Sequence, residues 1–285
     1  MNTQLAGTLP AGIPIEERRL ELAGVSTALL EGGDGPPLVL LHGPGASAAH
    51  WLRVLPDLVA THRVIAPDLP GLGASTVGGP LDPDRVLAWL GELIESTCPS
   101  PPALVGYALG GAIAARFAAA HGDRIDRLVL VDALGLTALD PAPEFGLALH
   151  GFLAQPSAQT HDELWRHCAR DLAGLREQMD GGWEPFRAAN VELARTPSVQ
   201  VALGALMEQF GGPPIDTAEL ARITVPTSLI WGRHDLATRL EVAVDASLDH
   251  KWPLQVIEDC ADDPPIERPE AFVAALRTAI GTEAA

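Results

Sequence analysis

Side chains able to attack a carbon or carry a proton near neutral pH are few here: nine histidines, three cysteines and one tyrosine. None of these residues clusters with the spacing that holds a metal ion, so no metal is expected. Cys98, Cys168 and Cys260 are too few for a disulfide framework and none is closely paired, which suits a reducing cytoplasm. The glycine-rich stretches lack a P-loop lysine and do not match the dinucleotide fingerprint, so no cofactor is expected either. What remains is acid–base or nucleophilic chemistry by side chains that the fold must bring together.

The 285-residue chain is 47% hydrophobic and 20% charged, enough for one large α/β domain or a core carrying an inserted subdomain. Its formal charge of −18 argues against nucleic acid or anionic membrane as a partner, since both are bound chiefly through Lys and Arg. A small molecule is the expected partner, and a homodimer is left open. The N-terminus lacks a basic stretch followed by an apolar core, and runs such as Leu38 to Leu41 are far too short to span a bilayer. A soluble, cytoplasmic protein is expected, with disorder confined to the first dozen residues and the last few.

The positioning elements alternate. Arg18 to Leu22 and Val25 to Leu30 flank Gly24 as a hairpin. Leu38 to Leu41, Arg63 to Ala66, Ala103 to Val105, Arg127 to Val131, Thr227 to Trp231 and Pro253 to Ile257 are short apolar runs, mostly followed by a helical pattern. Such runs fit strands covered on both faces in a doubly wound parallel sheet. Gly110 to Ala120 is rich in small residues, as for a helix packed closely on that sheet. Between residues 136 and 214 the strand signal vanishes; Glu144 to Leu153, His161 to Met179 and Pro185 to Gln209 look helical. Residues 136–214 are therefore expected to form a helical cap. Residues 1–135 and 215–285 would form the core, whose ligands bind at the carboxyl ends of the strands.

The segment order resembles the α/β-hydrolase superfamily, especially its capped C–C bond hydrolases, haloperoxidase-like esterases and epoxide hydrolases. Leu40 to Trp51, with His42-Gly43-Pro44, looks like the oxyanion loop, and Asp68 to Gly73 like the family's next turn. Leu104 to Gly111 looks like the nucleophile elbow, Ile230 to Asp235 like the acid segment, and Asp262 to Phe272 like the segment after the catalytic histidine. The likeness runs from about Leu20 to Ala279 and implies an α/β-hydrolase fold, a mostly parallel sheet flanked by helices with a helical cap.

At the positions this likeness makes catalytic, the residues differ from the pattern. The elbow G-x-S-x-G keeps Gly106 and Gly110 but holds Ala108, whose methyl cannot attack a carbonyl. The acid survives as Asp235. The family's Gly-His is replaced by Ala261-Asp262, and a carboxyl cannot reproduce an imidazole oriented from one side and basic on the other. One oxyanion donor would be the Leu109 N–H; the residue usually supplying the other is Pro44, which has no N–H, a loss on the order of 3 kcal/mol in the transition state. His42, Gly43, Pro44, Tyr107 and Leu109 are the expected substrate-binding positions. Ser47 is expected to cap the helix that follows it. His50, His150, His161 and His167 are expected in surface or structural roles, with His234 facing away.

If the likeness holds, Asp235 and Asp262 face each other and share a proton as an acid–base dyad. Together with the cap, this favours a non-hydrolytic enzyme, of lyase, isomerase, dehydratase or cyclase type, acting on a small, largely apolar substrate. The alternatives are a non-catalytic small-molecule binder, or an ester or C–C bond hydrolase whose elbow serine has been replaced by alanine. The cap's Phe145, Phe152, Trp165, Trp183, Phe186, Met207 and Phe210 suggest an apolar ligand, although such residues more often form a subdomain core.

Overall fold

The computed structural model describes residues 14–281. The expectations for the first dozen residues fall outside that range, as does most of what was expected of the last few. Strands β1 (Ile15–Leu22), β2 (Val25–Gly32), β3 (Pro37–Leu41), β4 (Arg63–Pro67), β5 (Thr76–Val77), β6 (Ala103–Tyr107), β7 (Arg127–Val131), β8 (Thr227–Gly232) and β9 (Leu254–Ile257) form one nine-stranded sheet. The order is β1-β2-β4-β3-β6-β7-β8-β9, with β5 paired to β2. Pairings of β1, β4 and β5 with β2 are antiparallel, and all others are parallel. The reason is in the residues: every side chain of β3 is buried, so that strand needs helices on both sides.

Helices α1 (Leu55–Val59), α2 (Pro83–Thr97), α3 (Leu109–His121), α9 (Thr217–Leu220), α10 (Leu240–His250), α11 (Pro264–Glu267) and α12 (Pro269–Ile280) belong to this layered core. α4 (Pro143–Ala154), α5 (Ala158–Cys168), α6 (Leu172–Met179), α7 (Trp183–Arg195) and α8 (Pro197–Leu206) all lie between β7 and β8. The fold is thus the expected mostly parallel α/β-hydrolase sheet flanked by helices. None of its helices, among the described residues, is long and apolar enough to cross a membrane.

Local chemistry sets several boundaries. Asp82 accepts the Arg85 N–H at 2.8 Å to start α2, with Pro83 in the first turn. Ser157 and Thr160 form a reciprocal capping box on α5. The two long helical stretches expected in the insertion are each broken. Asp171 caps a fresh helix through Gly174 N–H at 3.0 Å, and Pro197 forces Thr196 to extended geometry (ψ 114°). Trp165, Trp183, Phe145 and Phe152 pack with Ile266 into the insertion's own apolar cluster, with Phe186 against it; Phe210 joins the main core, with Met207 packed alongside.

Candidate active site

Ala108 sits between β6 and α3 with φ 46°, a left-handed conformation that costs a non-glycine residue energy and persists where its surroundings hold it. They do hold it: its N–H donates to Val131 O at 3.0 Å, and its carbonyl accepts Leu134 N–H at 3.1 Å. The flanking glycines answer to sterics. A Cβ on Gly106 would lie 2.4 Å from Gly110 O, and one on Gly110 would lie 2.3 Å from Leu41 O. The turn therefore retains the geometry that projects a side chain outward, and projects a methyl.

Facing it is the His42-Gly43-Pro44 loop. A Cβ on Gly43 would meet the Tyr107 ring at 2.6 Å and the Ala108 methyl at 3.4 Å, so loop and elbow are in contact. His42 is engaged within the loop: Nε2 accepts the Leu69 N–H at 3.0 Å and Nδ1 bonds Gly43 O at 2.8 Å. Burial lowers its pKa to about 4, so it stays neutral. Pro44 is exposed, and Leu109 is fully buried with its N–H at the positive end of α3. Ser47 stands at the expected cap position but makes no side-chain cap bond; Asp68 Oδ1 takes the Ala48 N–H instead, at 2.6 Å. The carboxyl reaching from the next turn thus satisfies the first N–H of the 3-10 turn.

The acid side of the site holds a row of buried carboxyls. Asp235 follows β8, and its Oδ1 accepts Ala237 N–H at 2.7 Å and Thr238 N–H at 2.9 Å. Asp262, after β9, is buried beside Asp235, Tyr107 and Cys168. Burial, followed by the nearby Glu267 charge, pushes Asp262 up to about 7. Burial, followed by repulsion from Asp262, holds Asp235 well above the usual carboxylate range. Asp132, which follows β7 and was not singled out in the sequence, is a third member; burial and then Asp235 hold it well up too.

His50 also reaches the site. Its ring stacks on Tyr107 with centroids 4.7 Å apart and comes within 3.3 Å of Asp263. It lies in the segment that resembles the oxyanion loop, but that pattern assigns it no role; the 3-10 turn Ala48–Trp51 carries it into the interior. Burial, with His42 nearby, lowers it to about 3, so it is a neutral ring rather than a cation. His150 and His234 are exposed, and His161 is buried among the cap aromatics. Cys260 is fully buried, its thiol donating to Glu267 Oε1 at 3.3 Å.

The insertion closes over these groups. Asp262 N–H donates to Cys168 O at 3.1 Å, and Arg170 N–H to Glu267 Oε2 at 2.7 Å, tying the end of α5 to the loop after β9. Tyr107 and Ala108 are each 6% exposed. A surface cavity of about 720 Å³ is lined by residues of the insertion, among them Ala158, Arg187, Val191, Arg195 and Pro197, and by none of the elbow or of the buried carboxyls. Among the described residues no group of three or more His, Cys, Asp or Glu is arranged to hold a metal ion.

The sheet order, the strained elbow and the loop opposite it define a class, and residues 38–275 match the model of the alpha/beta hydrolase family. The chain belongs to that family. Among its relatives is a pimeloyl-[acyl-carrier protein] methyl ester esterase of Aeromonas hydrophila, 30% identical over 87% of this chain and 97% of that protein. A 2-hydroxy-6-oxo-6-(2'-aminophenyl)hexa-2,4-dienoic acid hydrolase of Metapseudomonas resinovorans is 27% identical over 90% of this chain and 88% of that protein. Among solved structures, the 2-hydroxy-6-oxo-6-phenylhexa-2,4-dienoate hydrolase from Rhodococcus sp. strain RHA1 superposes with a TM-score of 0.81. It is 26% identical, the match covering 94% of this chain and 99% of that one.

These names overturn the expectation of lyase, isomerase, dehydratase or cyclase chemistry: relatives spanning nearly the whole chain are named for hydrolysis. The physical reason is that a methyl at 108 removes one route to hydrolysis, the acyl-enzyme, and leaves direct attack by water.

Proposed function

We propose that this chain hydrolyses a small, largely apolar carbonyl compound, in the first instance a carboxylic ester, by direct attack of water with Asp262 as general base. The observation that carries this is Asp262 itself: a buried carboxyl next to the elbow's Tyr107, raised to about 7. A base is most effective when its pKa lies near the working pH. In this reaction a water molecule does the work of the absent serine oxygen beside the Ala108 methyl. Asp262 takes a proton from that water as its oxygen bonds to the carbonyl carbon. The oxyanion forms against the Leu109 N–H at the α3 terminus. As the bond to the leaving group breaks, Asp262 returns the proton to it. Asp235 and Tyr107 flank the Asp262 carboxyl; His42, Gly43 and Pro44 border the carbonyl.

Losing the nucleophile and one oxyanion donor makes the expected rate low, well below that of a complete triad. The test is turnover of a short methyl ester and of p-nitrophenyl butyrate, followed by intact-mass measurement during the reaction. Linear product release without a covalent adduct, lowered about 100-fold or more in Asp262→Asn, supports the assignment. An acyl adduct, or unchanged turnover in Asp262→Asn, overturns it.

A further inference from the structure

The carboxyl of Glu267, at the end of α11, is buried, and both of its oxygens are filled. Oε1 accepts the Ala261 N–H at 2.8 Å and the Asp263 N–H at 3.4 Å, the amides on either side of Asp262, together with the Cys260 thiol at 3.3 Å. Oε2 accepts the Arg170 N–H, from the insertion, at 2.7 Å. The Glu267 N–H itself returns to Asp263 O at 2.8 Å, so side chain and backbone both fold back on the segment that carries Asp262. Amides and a thiol are the only hydrogen-bond donors to this carboxyl among the described residues.

The end of α5 completes the contact. The last carbonyls of a helix have no donor within it, and that of Cys168 takes the Asp262 N–H at 3.1 Å. Two bonds of opposite direction therefore join the insertion to this segment: Asp262 donates to Cys168, and Arg170 donates to Glu267. The three successive amides of residues 261–263 are held alternately by Glu267 and by the insertion. On its other side the segment lies against the loop after β8, where Cys260 O accepts the His234 N–H at 2.9 Å.

A carboxylate makes stronger hydrogen bonds than a neutral acceptor, and an arrangement of donors alone is what its ionised form requires. Its two oxygens also belong to one planar group. The terminal torsion of a glutamate is soft, so the bonds at the two oxygens are what fix it. A rotation that takes Oε2 from Arg170 takes Oε1 from Ala261 and Asp263. We infer that Glu267 is a positioning residue that couples the insertion to the base: one oxygen holds the backbone of Asp262 in place only while the other is held by Arg170. This rests on Asp262 being the base, whereas the coupling between the two ends of Glu267 can be read without any substrate.

The experiment compares residue-resolved amide hydrogen exchange and ester turnover in the full chain as wild type, Arg170→Ala and Arg170→Pro. Arg170 is exposed, and Ala169 before it is already extended (φ −117°, ψ 137°), the geometry that a following proline demands. Arg170→Ala keeps the amide donor and serves as the reference; Arg170→Pro deletes it. Relative to that reference, Arg170→Pro should speed exchange at Ala261 and Asp263, to which Arg170 makes no hydrogen bond, by about tenfold or more. kcat should fall by a similar factor while KM stays within about twofold. Unmoved exchange at Ala261 and Asp263 overturns the inference, and so does faster exchange with kcat unchanged. Should Arg170→Pro fail to fold, Glu267→Gln decides. Its remaining oxygen can serve Arg170 or the amides of Ala261 and Asp263, but not both. Coupling predicts faster exchange at both ends, and faster exchange at one end alone overturns it. Faster exchange with no turnover in any of these proteins upholds the coupling and refutes Asp262 as a hydrolytic base. Turnover with unmoved exchange does the reverse.

Discussion

As the proposed base, Asp262 differs from an imidazole in sign. An imidazole is neutral as a base; Asp262 must be an anion. Hydrolysis should therefore rise as pH climbs through about 7 and level off above, because burial pushes the carboxyl up to that value. Asp262→Asn should abolish that limb of the kcat/KM profile. Ala108→Ser restores a hydroxyl but no oriented base, so burst kinetics with an ester should show no rapid acyl-enzyme phase. Ala108, Asp235 and Asp262 were legible in the sequence because each belongs to a motif with fixed spacing. Asp132, Cys168 and His50 were not. Asp132 enters through the register of β7 on β8, Cys168 through the docking of α5, and His50 through a short 3-10 turn. No local pattern encodes any of the three contacts.

At the scale of elements, strands were the easier part. The largely apolar, mostly buried runs of β3, β6, β7 and β8 fit a covered parallel sheet, whereas the two-residue β5 carries too little pattern to be seen. Helices of the insertion merged in the sequence because capping and a single proline decide the breaks, and amphipathic spacing continues across them. Glycines separate by surroundings. A Cβ on Gly232 would lie 1.7 Å from Ala261 O, so Gly232→Ala should leave little soluble protein. Gly204 in α8 and Gly151 in α4 have open space around that position. Gly204→Ala and Gly151→Ala should each stabilise by about 0.5–1 kcal/mol, read as a higher midpoint in urea.

Across the whole molecule, buried titratable groups pull stability in opposite directions. His42, His50 and His161 have folded values lowered to about 4, 3 and 4, so the unfolded chain binds more protons and stability grows as pH rises toward about 6.5. Asp68 and Asp262, raised to about 6 and about 7, do the opposite: the folded chain holds the extra protons, and stability falls as pH climbs from about 4 through those values. Asp132, Asp235 and Asp263 carry that decline further. Above about pH 6.5 only the carboxyls still act, so Tm should drop between pH 6.5 and roughly 8.5, with a shallower slope in Asp262→Asn. The amide of Asp262 has a consequence for entry. Because it grips the last turn of α5, a guest entering by lifting that helix would loosen the residue that is to deprotonate its water. Admission and arming become one event, and deuterium uptake at that single amide would time it.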